Sequence, residues 1–440
     1  MKYYLFIDNF RGFSNTCIPI TDVNFLVGQN STGKTSVMAL LKLFSGPRFL
    51  MQQGQEFGDE HVSFGHFSDM VSAHSEDQRY FHIGLVWTRP AERHGEEFAV
   101  GWLCTYLEDQ GLPLLSSYTL CRDSRRMSLR FKGDKVHFKT EAYPTGVAPL
   151  DIVGRLIPQW VKEHTSADPG YEKLDAADFP GRLPILMALS MIARAGDRPN
   201  TKTDRDFIIP GLDVAFGQDI AWVAPIRTKP RRTYDELTLD FSPEGAHTPY
   251  LIRRTLRSKK DAVKFRAFIH KVGKSSGLFQ DVQIKNFGKG ITAPFEVDIV
   301  LDDKALNLST VGYGVSQALP VLVELLERPS GTWFAIQQPE VHLHPRAQAA
   351  LGDVIFEMAV GEKKRFLIET HSDFTIDRFR MNYKRLKSKT PNGQILFFER
   401  KAKHNIVTAL PIGEAGELPE EQPESYREFF IREQMSLLGI

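Results

Sequence analysis

The sequence predicts an α/β fold on three observations. A strand, a glycine-rich turn and a helix follow one another early in the chain; residues from about Arg79 to Ala142 are rich in aromatic and β-branched side chains; and Leu308 to Phe374 runs loop-helix, strand-helix, strand. In order, Tyr3, Leu5 and Ile7 alternate as one face of a strand, and Pro19 to Gly28 reads as a second strand. A helix follows from about Lys34 to Phe44, with Val37, Leu40, Leu41 and Phe44 on one side and Gly46 and Pro47 closing it. The aromatic segment reads as an inserted antiparallel β lobe, with Lys132-Gly133-Asp134 as a hairpin turn. Helical periodicity returns in Leu150 to His164, where Pro158 interrupts it, and in Gly181 to Ala195. Tyr250 to about Lys271 reads as one long basic helix, and Asp281 to Asp303 as further strand. No fixed-period repeat or heptad array is present.

At 440 residues the chain exceeds one small module, and 42% hydrophobic with 25% charged residues is a globular balance that excludes a disordered or collagen-like chain. Fifty-five basic residues face 54 acidic ones, so the net charge of +1 draws the whole molecule to neither nucleic acid nor anionic membrane; any such affinity is local. Cys17, Cys104 and Cys121 are an odd number without CxxC spacing, which fits a reducing cytoplasm and small buried apolar roles. The N-terminus meets Asp8 too soon for a signal-peptide core, and no apolar run approaches membrane-spanning length, so a cytoplasmic location with no membrane association is expected.

GQNSTGKT, Gly28 to Thr35, matches GxxxxGK[ST] between a strand and a helix, as a phosphate-binding loop requires. Gly28 and Gly33 let the backbone curl through Gln29, Asn30, Ser31 and Thr32 so that amides and the helix start, with Ser36 in its first turn, face phosphates. Lys34 then reaches the β/γ oxygens, and the Thr35 hydroxyl can ligate Mg²⁺. Arg11, in Asn9-Phe10-Arg11-Gly12-Phe13, either contacts the nucleotide or is a surface residue beside two core phenylalanines.

Gly312, Gly314 and Ser316 stand just before an apolar helix, where free amides and a hydroxyl make a second anion site, or cap a helix after flexible glycines. The strand from Trp333 ends in Gln337, Gln338, Pro339 and Glu340. Phosphoryl-transfer sites carry carboxylates at such a strand end, one for a Mg²⁺-bound water and one to activate the attacking water. Gln337 and Gln338 are amides, which hold a water and take no proton, so Glu340 is the nearest carboxylate able to act as base. His342 and His344 alternate as metal ligands can, or line a loop and cap a helix. Glu369, His371 and Asp373 cluster after a further strand, where the imidazole can reach a γ-phosphate or water.

The order GQNSTGKT, VGYGVSQ, IQQPEVHLHP, ETHSDF, together with NFRGF and Pro225 to Tyr234, resembles the ABC-type ATPases of the SMC and OLD class. The likeness is greatest to small bacterial AAA family ATPases of antiphage defence, such as Septu-, retron- or PARIS-like ATPase subunits. The motifs span residues 9 to 373. The resemblance implies a P-loop ABC-type ATPase head with an inserted β lobe and a helical subdomain, without a long coiled coil. Its parts would be residues 1 to about 150 and about 280–400, an insertion at about 150–280 carrying the basic helix, and a tail over 401–440. It implies ATP and Mg²⁺ as ligands, with Lys34 and Thr35 on phosphate and metal, Gln337 holding the metal through water and His371 as switch histidine. Gly314 and Ser316 would complete the site of a partner copy, giving a homodimer or higher oligomer. Gln337 and Gln338 depart from the usual acidic residues, so slow hydrolysis or an ATP-locked switch is expected. The stretch after His371 is too short for the TOPRIM nuclease domain of OLD proteins, which makes a separate effector, a nuclease or toxin, the expected partner. A hydrolysis-poor scaffold that holds an effector inactive, and a DNA repair or recombination ATPase, are the alternative readings.

Basic clusters offer nucleic acid a place. Arg253, Arg257, Lys260, Lys264 and Lys271 share one helical stripe, suited to phosphate backbone, to an acidic protein or simply to solvent. Arg227, Lys229, Arg231 and Arg232 form a second cluster, and Arg378 to Lys389 carries a third. The acidic, aromatic-ended segment from Glu414 docks a partner or folds back on its own lobe.

Overall fold

The computed structural model describes residues 2–46, 49, 57–90, 97–122, 125–143, 148–164, 170–174, 185–195, 216, 219–235, 240–290, 292–386 and 390–429. Two compact units are present. The first comprises Met1–Thr21, Gln29–Ile220 and Phe398–Ala409; the second comprises Asp22–Gly28, Ala221–Phe397 and Leu410–Ile440. The expected insertion at about 150–280 is thus divided at Ile220, its basic part lying in the second unit. Pro47, residues 181–184 and 196–215, Lys387 to Lys389 and the tail from residue 430 lie outside the described residues.

Strands β1 (Tyr3–Asp8), β2 (Thr16–Ile20) and β3 (Val23–Gly28) open the chain, so the single strand expected from Pro19 to Gly28 is two. β2 pairs antiparallel with β1 in the first unit, whereas β3 is buried along its whole length among parallel strands of the second. The polar break at Thr21-Asp22 is anchored where Asp22 Oδ2 accepts the Asn392 N–H at 3.1 Å.

In the first unit the expected β lobe is an eight-stranded antiparallel sheet. Strands β4 (Tyr80–Pro90), β5 (Glu97–Asp109), β6 (Leu112–Arg122), β7 (Arg125–Lys132), β8 (Lys135–Ala142) and β9 (Glu172–Lys173) follow β2 and β1 in the order β2-β1-β4-β5-β6-β7-β8-β9. Lys132 pairs with Lys135 across a two-residue turn in which Gly133 takes φ 57°, as the hairpin signal requires. The helix Lys34–Ser45 rests on this sheet through Phe44, whose ring meets Trp102 edge-on at 4.7 Å. Pro158 does not break its helix: the run Pro149–His164 is continuous, and a π turn at Ile152–Leu156 widens the backbone just before the ring that lacks an N–H. Ile152, Val153, Ile157 and Trp160 of that run pack on Phe6, Val86 and Leu103.

A six-stranded sheet carries the motifs on parallel strands of the second unit, and its last strand falls largely within Phe398–Ala409 of the first. Its order is β10 (Ala221–Val223), β14 (Trp333–Gln337), β15 (Arg365–Glu369), β3, β16 (Gly393–Lys401) and β17 (His404–Pro411). A three-stranded sheet of β11 (Asp281–Asn286), β12 (Phe295–Leu301) and β13 (Lys304–Asn307) accompanies it. β10, β14, β15 and β3 are parallel and nearly all apolar, as strands covered on both faces must be. Phe25, Phe334, Ile336, Phe366 and Ile368 form one core with Leu322, Ile355 and Phe379 of the helices Tyr313–Glu327, Pro345–Gly361 and Asp373–Arg385. The strand-helix alternation expected from Leu308 to Phe374 is therefore present. Residues 404–411, expected as tail, are instead the edge strand β17.

The expected long basic helix is two, Thr248–Arg257 and Lys259–Ser276. Ser258 ends the first in an extended conformation, and its hydroxyl accepts the Asp261 N–H of the second at 3.4 Å. At 18 residues Lys259–Ser276 is the longest helix among the described residues, so these hold no long coiled coil, and none of their helices is long and apolar enough to cross a membrane.

Removing the cap in Ser258→Ala is expected to lower the unfolding free energy by about 1 kcal/mol in urea titrations. Burial pushes the Cys17 thiol up to about 11 and those of Cys104 and Cys121 up to about 12. Only the thiolate is alkylated, and all three thiols stay protonated until pH approaches those values, so the native protein should react with iodoacetamide at pH 8 far more slowly than the urea-unfolded chain.

Candidate functional site

Parallel pairing brings the motif-bearing strand ends of the second unit to one edge. Gln337 of β14 stands in register with Glu369 of β15, and Glu369 with Leu26 of β3, two residues before Gly28. The carboxyl ends of parallel strands are where open α/β sheets leave room for a ligand. Gln338, at φ 42°, turns the chain sharply away, and its N–H donates to the Glu369 carbonyl at 2.7 Å. The Gln337 side-chain amide donates to Glu369 Oε2 at 3.4 Å. A carboxylate therefore stands directly beside Gln337 although its neighbours in sequence, Gln338 and Pro339, supply none.

Glu340 lies in the turn after β14. Its Oε1 accepts the backbone N–H of His371 at 2.7 Å, while Oε2 is buried without a hydrogen-bond partner. The His371 ring is exposed and stacks on Phe429 with centroids 6.1 Å apart, so the aromatic-ended tail folds back on its own unit. Arg227, expected in a basic surface cluster, is instead 4% exposed. Its Nη2 donates to the Gln337 carbonyl at 3.2 Å, and its backbone N–H donates to Gln317 Oε1 at 3.4 Å. Burial lowers the guanidinium pKa to about 10, against the opposing charge of Glu340.

The second glycine motif opens the helix Tyr313–Glu327, with Gly312 as its cap and Gly314 and Ser316 inside the first turn rather than before it. Gly314 is required by close approach, because a Cβ there would lie 2.9 Å from the His342 carbonyl. The Ser316 hydroxyl donates to the Tyr313 carbonyl at 2.9 Å. Ser316 also lines a cavity of about 180 Å³ with Lys229 and Arg231, so part of the second basic cluster stands beside this helix start. His342 meets the Tyr313 ring at 5.6 Å, and His344 stands at the N-cap position of the helix Pro345–Gly361 without a side-chain capping bond.

The phosphate loop proper, Gln29 to Lys34, lies in the first unit and leaves β3 directly after Gly28. Gly33 takes φ 94°, and a Cβ on it would fall 2.4 Å from the Phe13 ring. Lys34 Nζ and Thr32 Oγ1 both donate to the Gln29 carbonyl at 2.7 Å, and Arg400 Nη2 donates to Ser31 O at 3.1 Å, which hold the curled loop. Thr35 is exposed, Ser36 buried and Asn30 exposed. Phe10 and Phe13 are core residues. Arg11 spends its donors on the carbonyls of Asp69 and Phe64, at 3.0 and 2.9 Å, and on Ser36 Oγ at 3.4 Å, so it braces the first turn of the phosphate-loop helix. Within the second unit, the amide oxygen of Gln337 and the carboxylate of Glu369 are hard donors of the kind Mg²⁺ takes, as is, by itself, the Thr35 hydroxyl of the first.

The basic stripe is largely engaged by its own unit. Arg253 is buried, bonding Asn286 Oδ1 and Gly290 O at 3.0 and 3.1 Å, and Arg257 reaches the same Gly290 carbonyl. Lys264 pairs with Glu362 and Lys271 with Glu357, at 3.1 and 2.7 Å. Two cations of the stripe are thus neutralised and one is withdrawn from solvent, which weakens it as a phosphate-backbone footprint.

Residues 1–83 match a family model described as "AAA ATPase domain", and residues 228–377 match one described as "AAA domain, putative AbiEii toxin, Type IV TA system". Two segments that together carry all four motifs are thus similar to AAA-type ATPase domains. No curated protein matches the chain. Among solved structures, the Smc head domain of Pyrococcus furiosus with an extended coiled coil, bound to the C-terminal domain of ScpA, overlays with TM-score 0.39 and 9% identity, covering 100% of this chain and 99% of that one. The SMC head domain of Thermotoga maritima gives 0.39 and 13% over 94% and 98%, and the recombination mediator RecF gives 0.31 and 10% over 93% and 98%.

Gly33→Ala combines a left-handed φ with a Cβ driven into Phe13. It is expected to destabilise the protein by about 1–3 kcal/mol and to abolish nucleotide binding, read by thermal melting and by ATP titration calorimetry.

Proposed function

We propose that the protein binds ATP with Mg²⁺ and hydrolyses it slowly, acting as the switch or motor subunit of an antiphage defence complex whose effector, a nuclease or toxin, is a separate protein. The observation that carries the ATPase reading is the common edge of β3, β14 and β15. The chain enters the phosphate loop from Gly28, while Gln337 to Glu340 and Glu369 to His371 stand at the neighbouring strand ends. Lys34 and the loop amides of Gln29 to Gly33 hold the β- and γ-phosphates. Thr35 and, through water, Gln337 would hold Mg²⁺, whose charge would offset that of the phosphate oxygens when bound. Glu340, fixed by the His371 amide, takes the proton of the water that attacks the γ-phosphorus in line, and the His371 ring bonds the γ-phosphate.

Gln337 and Gln338 make this hydrolysis slow, because an amide cannot take a proton; the Glu369 carboxylate beside Gln337 supplies the negative charge that the strand end itself lacks. The start of the helix at Gly312, Gly314 and Ser316, flanked by Lys229 and Arg231, is a second anion-attracting end. It supports a homodimer or higher oligomer in which this end closes on the nucleotide of another copy. The defence role rests on the ordered motifs and on the toxin system named in the description of the model matching residues 228–377. A scaffold that holds an effector inactive with little turnover is the second reading, favoured by the same two glutamines.

Steady-state phosphate release with and without DNA distinguishes the readings. Lys34→Ala should lose ATP binding at least about tenfold, and Glu340→Gln should bind ATP normally while turnover falls about 10²-fold or more. Gln338→Glu should raise turnover. A Lys34→Ala protein with parental binding and turnover would overturn the assignment, and a parent without turnover under any condition would leave the scaffold.

A further inference from the structure

We propose that Arg227 is a positioning residue that couples the start of the Tyr313–Glu327 helix to the turn holding Glu340. The inference rests on the reading of Glu340 as the base. Arg227 lies four residues beyond β10, which runs parallel to β14 with Val223 opposite Ile336. Its neighbour Ile226 is 80% exposed, yet Arg227 itself is turned inward to 4%. Burying a guanidinium costs several kcal/mol unless its donors and charge are met. Here only part of that demand is met by hydrogen bonds: Nη2 goes to the Gln337 carbonyl, while Nε and Nη1 are buried without a partner. The charge that acts on it is Glu340, whose Oε2 is likewise buried and unpartnered.

The same residue holds the other element through its backbone, which donates to Oε1 of Gln317. Gln317 is 4% exposed and directly follows Ser316. One side chain and one amide thus join the glycine-motif helix to the end of β14, three residues before Glu340. A movement of that helix, such as an anion at Gly312 and Gly314 would draw, shifts the Arg227 backbone and with it the guanidinium that holds the Gln337 carbonyl at the start of the Glu340 turn. Glu340 is then correctly placed only when the helix is. The contact of Gly314 with the His342 carbonyl is a second route between the same two elements, so the role of Arg227 has to be isolated by a cycle.

Amide exchange over residues 338–343 is measured without nucleotide in the parent, Gln317→Met, Arg227→Met and the double variant. Gln317→Met should raise exchange there about threefold or more in the parent background and leave it unchanged in the Arg227→Met background. Equal effects in both backgrounds, or none in the parent, overturn the proposal, and this readout decides whether or not the protein turns over ATP. Turnover is then compared. Arg227→Met should lower kcat at least about tenfold with KM for ATP within about twofold, and Arg227→Lys, which keeps the charge, should recover part of it. If Arg227→Met does not fold, Arg227→Lys takes its place in the cycle, where the effect of Gln317→Met should shrink. Loss of turnover in Lys34→Ala alongside parental kcat in Arg227→Met sinks the coupling and leaves the ATPase reading standing; absent turnover in the parent sinks that reading alone.

Discussion

The hydrogen-bond register of β14, β15 and β3 is the constraint on which the candidate site depends. Because the three strands are parallel and paired Gln337 to Glu369 to Leu26, their carboxyl ends finish level, and Gln337, Glu369 and Gly28 come to the same edge. The apolar strand bodies, from Phe25 to Phe334 and Phe366, are what fix that register, since sliding one strand by a residue would turn its core face over. Gly28 and Gln337, more than 300 positions apart in sequence, are held at one edge by the burial of the strand residues before them.

Close backbone approach sets the second condition. Gly33 and Gly314 are needed for lack of a side chain, the first because Phe13 fills the space a Cβ would take and the second because the His342 carbonyl does. These glycines lie in different units, and in each case the local requirement comes from a neighbour far along the chain. Polar groups left over at the strand ends are equally informative. Glu340 Oε2 and the Arg227 nitrogens Nε and Nη1 are buried without partners, a cost that a purely structural turn gains nothing by carrying.

The glutamines at 337 and 338 look different once folded. Along the sequence they delete two carboxylates; in the sheet, register returns one, because Glu369 accepts a hydrogen bond from the Gln337 amide. The basic stripe changes in the opposite direction. Arg253, Lys264 and Lys271 read as exposed cations until the fold buries Arg253 against Asn286 and places Glu362 and Glu357 beside the two lysines, and exposed ion pairs such as these two contribute at most about 1 kcal/mol each while cancelling the local field.

Sequence alone determined what depends on local pattern. The strand-loop-helix around Gly28 to Phe44, the hairpin at Gly133, the β lobe and the alternation from Leu308 to Phe374 follow from periodicity and turn chemistry, which act over a few residues. Breaks and partners were beyond its reach. That Pro19 to Gly28 is two strands in two sheets, that Ser258 splits a basic helix, that Pro158 rides on a π turn and that residues 404–411 complete a sheet edge were decided by which distant surfaces those segments could bury. Arg227 shows the difference most sharply: an arginine among four basic residues has no local signal for burial, and only the tertiary structure, by pairing β10 with β14 and setting Gln317 against the Arg227 amide, brought its guanidinium to the Gln337 carbonyl and within the field of Glu340.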